Sequence, residues 1–264
     1  PSPWGVSFAL NDPRGANTVP GTLFNAMIAP FETFRFRGAI WYQGCSNAGE
    51  WKEYDSYQRA LVAGWRETFR CPDMAFLCVE LAGYKAHHPE QPFTDAEIAS
   101  WQPVDEGFVA IRAEQEKIRE VPGCDCASAV DIGHAYDIHP KDKQEVARRL
   151  EALAGVLCYG SKAKARGPQA IKAVKSGDAV EIIFDEPLEV KGGQFSPHEF
   201  TLAGKDGKRV WASAKLVKPD TVRVESAAVK EPDAVDYGRA PYLPKMSVFN
   251  AEGFPATPFR LAVK

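Results

Sequence analysis

The sequence predicts an α/β fold in two parts: a parallel sheet sandwiched by helices, then a small antiparallel β-sandwich-type module. Three observations predict it. Short apolar runs alternate with helix-period patterns as far as about residue 160. Beyond residue 165 the chain changes to short β-rich runs separated by Gly, Pro and Asp. The 264 residues are enough for one medium domain plus a smaller one. We place the junction in KARGPQ (164–169), which gives a first domain over 1–163 and a β-rich accessory module over 164–264.

The elements follow in order. GAIWY (38–42) reads as a buried strand, because a short, continuous apolar run suits a strand covered on both faces. EYDSYQRALVAGWRETF (53–69) reads as a helix, with Tyr57, Leu61, Trp65 and Phe69 four apart on one face. AFLCVEL (75–81) is a second buried strand. VAIRAEQEKIREV (109–121) is a second helix, ended by Pro122-Gly123. ASAVDIG (127–133) reads as the third strand. KDKQEVARRLEALAGVL (141–157) is the third helix, with Val146, Leu150, Leu153 and Leu157 on one stripe and Pro140 just before it. AVEIIFDEP, FTLAGKDGKRVWASAKLV and TVRVESAAV then supply strands, and Lys205-Asp206-Gly207-Lys208 is a hairpin turn.

Composition narrows the function classes. Hydrophobic residues make up 45% and charged residues 25%, which fits a globular chain. The net charge is −3 with no basic block, which argues against nucleic acid as a partner. No apolar run approaches the ~20 residues that span a bilayer, so no membrane partner is expected. The opening PSPWGVSFALNDPRG has no initiator Met and no signal-peptide pattern, and reads as though cut from something longer. Six cysteines are too few for a disulfide framework in a chain this long. Cys71, Cys78 and Cys158 sit beside apolar positions and read as core residues. Cys124-Asp125-Cys126 is too short for a CxxC site, and no zinc site is expected.

In an open parallel sheet, ligands bind beyond the carboxyl ends of the strands. Three polar clusters follow predicted strands there: Gln43-Gly44-Cys45-Ser46-Asn47, then Gly83 to His88, then Asp131 to Pro140. His139 is the best general-base candidate, with Asp137 two residues away to orient it. Spacing alone leaves open whether Asp137 is instead a helix cap and His139 a surface residue. Gln43 and Asn47 present amide donors for an oxyanion beside the Gly44 N–H, or else they satisfy a tight turn. Gly44 to Ala48 approximates a G-x-S-x-G elbow, but Asn47-Ala48-Gly49 argues against an immediate helix and so against Ser46 as nucleophile. Cys45 would need a nearby base to act as one. His87 and His88 read as a solvated loop rather than metal ligands.

WYQGCSN (41–47) resembles the WYQGESN motif of the sialate O-acetylesterases, carbohydrate esterases of the SGNH-hydrolase superfamily. LFNAMIAP (23–30), IRAEQ (111–115), DIGHAYDIHPKDKQEVARRL (131–150) and VFNAEGFPATPFRL (248–261) resemble further segments of that family in the same order. The resemblance implies an SGNH-hydrolase-like (flavodoxin-like) sheet missing its N-terminal part. It implies a Ser-His-Asp/Glu mechanism with His139 as base and Asp137 as its carboxylate. Gln43, Gly44 and Asn25 would line the oxyanion or acetyl pocket. It also implies an acetylated sugar as substrate, no cofactor and an exported, periplasmic or extracellular location. Two departures stand out. The nucleophile motif of the family is absent, so the Ser is expected from an N-terminal segment or a second chain. Cys45 stands where a carboxylate is expected. A competing expectation is a non-catalytic carbohydrate-binding or subunit module, an inactive relative in which Trp51, Trp101, Trp211 and Tyr242 contact sugar. A third is a cysteine hydrolase built on Cys45.

Overall fold

The computed structural model describes residues 19–85, 93–243 and 245–264. A three-stranded parallel sheet forms from β1 (Gly38–Trp41), β2 (Ala75–Val79) and β3 (Cys124–Ala127), in that order. A 3-10 segment, Cys45–Glu53, and α1 (Tyr54–Thr68) join β1 to β2. The helices α2 (Asp95–Ser100) and α3 (Gly107–Glu116) lie between β2 and β3, and α4 (Lys143–Tyr159) follows β3.

Side chains alternate across a strand, and this alternation decides what each face meets. Phe76, Cys78, Cys124 and Cys126 cluster with Leu61, Val62 and Trp65 of α1. On the other face, Val79 clusters with Val146 and Leu150, and Leu77 and Ala127 with Leu150 and Leu153, all from α4. Each large side chain buried this way contributes roughly 1.5–3 kcal/mol. Helices therefore cover both faces, as the sequence predicts.

Several elements differ from expectation. The third strand lies at 124–127, not 127–133, so Cys124-Asp125-Cys126 is itself strand. The apolar run that follows is buried for another reason: Val130 leaves the sheet and enters the core of the antiparallel module. Among the described residues β1 is an edge strand rather than a fully buried one, and Ile40 is 69% exposed. On α1 the buried residues are Tyr54, Gln58 and Val62, while Tyr57 is largely exposed. The helix turns this face inward because α3 packs beside it. A 3-10 helix follows the Gln43-Gly44 turn at once, where no immediate helix was expected. Asn47 N–H donates to Gly44 O, three residues back, which is the bond that closes a 3-10 turn. Of the cysteines read as core, Cys71 and Cys78 are buried and Cys158 is only half-buried.

The antiparallel part comprises β4 (Ala170–Ser176), β5 (Ala179–Phe184), β6 (Glu189–Val190), β7 (Phe200–Ala203), β8 (Arg209–Lys218), β9 (Thr221–Glu225), β10 (Ala234–Tyr237), β11 (Val248–Phe249) and β12 (Phe259–Ala262). Seven of these form one sheet in the order β12-β10-β7-β8-β9-β5-β4, and β6 pairs with β11. β8 pairs with β7 through Arg209–Ala212 and with β9 through Ser213–Lys218, so it links the two halves of the sheet. The outer strands meet as well: Lys175 N–H donates to Lys264 O, and Lys264 N–H to Ala173 O, both at 3.0 Å. Phe184, Phe200, Leu202, Val222, Val235 and Tyr237 share the enclosed core. The 205–208 turn joins β7 to β8, as its sequence predicts.

Candidate active site

All three parallel strands deliver a loop to one end of the sheet. After β1, the chain turns at Gly44, whose φ of 143° favours glycine. A Cβ at this position would lie 2.9 Å from Gln115 Nε2 and 3.4 Å from both Ile111 Cδ1 and Leu81 Cδ1. The turn is tied by Gln43 Nε2 donating to Asn47 Oδ1 at 2.7 Å and by Asn47 N–H donating to Gly44 O at 2.8 Å. Turn closure is thus one role that Gln43 and Asn47 do fill. The Gln43 carbonyl accepts from Tyr54 Oη at 2.8 Å and from Gln115 Nε2 at 3.0 Å. Among the described residues, the Gly44 N–H has no acceptor.

The loops after β2 and β3 meet through two glycines. A Cβ on Gly133 would fall 2.0 Å from Gly83 O, so this crossing needs hydrogen alone. Arg149 anchors the start of the later loop with a two-pronged ion pair to Asp131, at 2.6 and 2.8 Å, and a bond to Ser128 O. At the far end of the loop Asp137 Oδ1 accepts the His139 backbone N–H at 2.8 Å and lies 3.5 Å from His139 Nδ1. That backbone hydrogen bond, and then the imidazole, hold the Asp137 carboxyl below its ordinary range. The His139 side chain is 81% exposed. Asp142, not Asp137, caps α4 by accepting from Glu145 N–H.

Lys143, in the first turn of α4, puts its Nζ 5.1 Å from the centre of the Tyr42 ring. The β1 turn and the His139 loop therefore share one end of the sheet. Among the described residues no hydrogen bond joins His139 to Gln43 or Gly44. Asn25 sits in the turn Phe24–Ile28, where its N–H bonds Gly21 O, and that segment packs through Ile28 on the Trp65–Phe69 cluster. Among the described residues nothing bonds it to the Gln43 turn. His87 and His88 lie outside the described residues.

The electrostatics favour neutral groups around the turn. Burial, and then Cys45, push Tyr42 up to about 12. Burial pushes the Cys45 thiol up, against the pull of Arg112 and Lys143. A nucleophilic cysteine needs the opposite shift. Cys45 instead packs beside Tyr54, Leu81, Ile111 and Trp51. Glu80, at the exit of β2, is fully buried, and neither carboxyl oxygen has a hydrogen-bond partner among the described residues. Burial, and then Glu116, push it up to about 8. Arg112 is buried too, and burial brings it down to about 10. It donates to Leu81 O, Ala82 O, Ala240 O and Pro241 O at 2.7–3.0 Å, which clamps the exit of β2 to the antiparallel module.

Sequence reasoning gave no role to Arg112, Gln115, Tyr54 or Glu80. The available signal was polar residues on an otherwise apolar buried helix face: Arg112 and Gln115, three apart, flank α3's inward stripe. Of the proposed sugar contacts, Trp51 packs in the turn cluster, and Trp211 Nε1 donates to Trp101 O at 2.6 Å. Tyr242 lies against Gly83.

The chain is 29% identical over 199 residues to the sialate O-acetylesterase of Rattus norvegicus, covering 70% of this chain and 35% of the relative. It is 32% identical over 161 residues to that of Homo sapiens, covering 53% of this chain and 28% of the relative. A carbohydrate acetylesterase structure from Xanthomonas citri matches at TM-score 0.76 and 31% identity, over 90% of this chain and 53% of that one. No family model matches. The chain spans about a third of the length of the curated relatives it matches. It is a homologue of the sialate O-acetylesterases, corresponding to their C-terminal part.

Proposed function

We propose that this chain is the histidine-bearing part of a carbohydrate O-acetylesterase acting on acetylated sialic acid or a related acetylated sugar. His139 removes the proton from a serine carried by an N-terminal segment or a second chain. That serine attacks the acetyl carbonyl, and His139 gives the proton to the departing sugar oxygen as the ester bond breaks, leaving an acetyl-serine. His139 then takes a proton from water, which attacks the acetyl-serine, and returns it to the serine oxygen as acetate leaves. Asp137 orients the imidazole. The Gly44 N–H, with the Gln43 amide, receives the oxyanion, where one donor is typically worth ~3–4 kcal/mol; Asn25, in the segment that packs through Ile28 on the Trp65–Phe69 cluster, takes no part in this reading. Cys45 occupies the place of a second carboxylate, which leaves Asp137 to orient His139 alone.

One observation supports this reading most: a carbohydrate acetylesterase structure aligns with 90% of the chain, and in this chain Lys143, four residues after His139, reaches the Tyr42 ring beside the Gln43 turn. Among the described residues no strand pairs with the outer edge of β1, which leaves room for a complementary segment or partner. Ile40, Met27 and Phe34 are each more than half exposed around it, and a cavity of about 350 Å³ beside it is lined by Met27, Ile28, Phe31, Ile40, Trp65 and Phe69. An uncovered parallel edge of this kind is a template for another strand.

A second reading is favoured by the Cys45 position and by the exposed, loosely paired His139: an inactive relative that only binds sugar. Acetate release from p-nitrophenyl acetate and from an acetylated sugar by the full-length protein separates the two. Sugar binding without any acetate release would overturn the esterase reading.

A further inference from the structure

The esterase reading assigns roles to the ends of the turn but not to what fixes its geometry. Gln115 is 1% exposed and has both ends of its amide committed. Its Nε2 donates to Gln43 O at 3.0 Å, and its Oε1 accepts Leu81 N–H at 2.9 Å. It thereby joins the tip of β1 to the exit of β2 through a single planar group. The same Nε2 is the nearest atom to the place a Cβ on Gly44 would occupy, at 2.9 Å. Tyr54 Oη adds the second donor on Gln43 O. The peptide that ends in the unbonded Gly44 N–H is thus held by two buried donors on its carbonyl.

We infer that Gln115 is a positioning residue, which sets the Gln43–Gly44 peptide so that its N–H meets the developing oxyanion. This rests on the esterase reading. Gln115 touches no reacting atom; it acts through the peptide it holds. The chemistry separates its two bonds. A neutral glutamic acid at 115 keeps both, since its O–H donates to Gln43 O and its carbonyl accepts from Leu81 N–H. An ionised glutamate keeps only the second and sets a negative oxygen against Gln43 O.

The test uses the full-length protein with p-nitrophenyl acetate and an acetylated sugar. Gln115→Leu should lower kcat by roughly 10–100-fold with KM within about 2-fold of wild type, because only the transition state is affected. Gln115→Glu should match wild-type kcat at low pH and fall away from it as the new carboxyl ionises. The Gly44 amide resonance of that variant should titrate with the same apparent pKa. A Gln115→Glu profile parallel to wild type at all pH, or a Gly44 resonance that does not move, overturns the inference. If Gln115→Leu fails to fold, the Gln115→Glu profile decides. A wild-type protein that releases no acetate would sink the esterase reading, while the Gly44 titration would still report whether residue 115 sets the turn.

Discussion

Glu80→Gln should stabilise the protein, increasingly so from acid to mildly alkaline pH. Glu80 is fully buried at the exit of β2 with both oxygens unpartnered among the described residues. Its folded pKa is raised from 4.5 to about 8, by burial first and by Glu116 second. The sign follows from proton linkage. Below 4.5 the carboxyl is protonated in both states, and it has no pH-dependent effect. Between 4.5 and about 8 the unfolded chain ionises and the folded one does not, so stability falls as pH rises. Above about 8 the full penalty is present. The interval of roughly 3.5 units, at ~1.4 kcal/mol per unit, sets an upper bound of about 5 kcal/mol, and about 3 kcal/mol applies at pH 7. Gln at 80 removes this term and keeps the volume. Arg112 loses no countercharge at neutral pH, because Glu80 is then protonated. At roughly 2–4 °C per kcal/mol, Tm should rise by about 6–12 °C at pH 7 and by almost nothing at pH 4. Calorimetry of wild type and variant between pH 4 and 9 measures it. A Tm difference that is constant with pH, or a variant less stable at pH 8, would refute a neutral buried Glu80.

His139→Ala should lower acetate release by about 10²–10⁴-fold with Tm unchanged, since the side chain is 81% exposed; unchanged turnover removes it from the mechanism. Gly44→Ala should cost about 1–3 kcal/mol of strain at φ 143° and lower kcat more than 10-fold, read by Tm and steady-state kinetics. Cys45→Glu should raise kcat only towards higher pH, because burial outweighs the pull of Arg112 and Lys143 and keeps an acid there protonated; no gain at any pH means that Asp137 suffices. For Asp105, burial raises the pKa, but hydrogen bonds from Arg260 and Arg239 outweigh it and hold it down from 3.8 to about 2. Its stabilisation is therefore present above pH 3.8 and lost as pH falls through about 2. The group is 42% exposed, so Asp105→Asn should cost less than ~1 kcal/mol at neutral pH in denaturant titration.

By itself the sequence determined the change from a parallel sheet to an antiparallel one, the 205–208 turn, and two helices read at 53–69 and 141–157 that lie at 54–68 and 143–159; it also named candidate residues after the strands. These are local quantities: apolar period, turn chemistry and breakers act over a few residues. It also carried the resemblance to the sialate O-acetylesterases, since motif order is linear information. Tertiary structure alone decided the rest. Ala127 to Val130 is as apolar as a strand, but only the antiparallel module's core explains why Val130 is buried outside the sheet. Tyr57 continues the apolar stripe of α1, yet the packing of α3 turns Tyr54 and Gln58 inward instead. Arg112 and Gln115 stand in the IRAEQ segment that the resemblance picks out, but their roles are illegible until the fold brings Gln43, Leu81 and Ala240 around them from positions 31 to 128 residues away. Hydrogen bonds and burial between such distant groups leave no periodic trace in a single sequence, so the support beneath the candidate site became visible only once the strands were placed side by side.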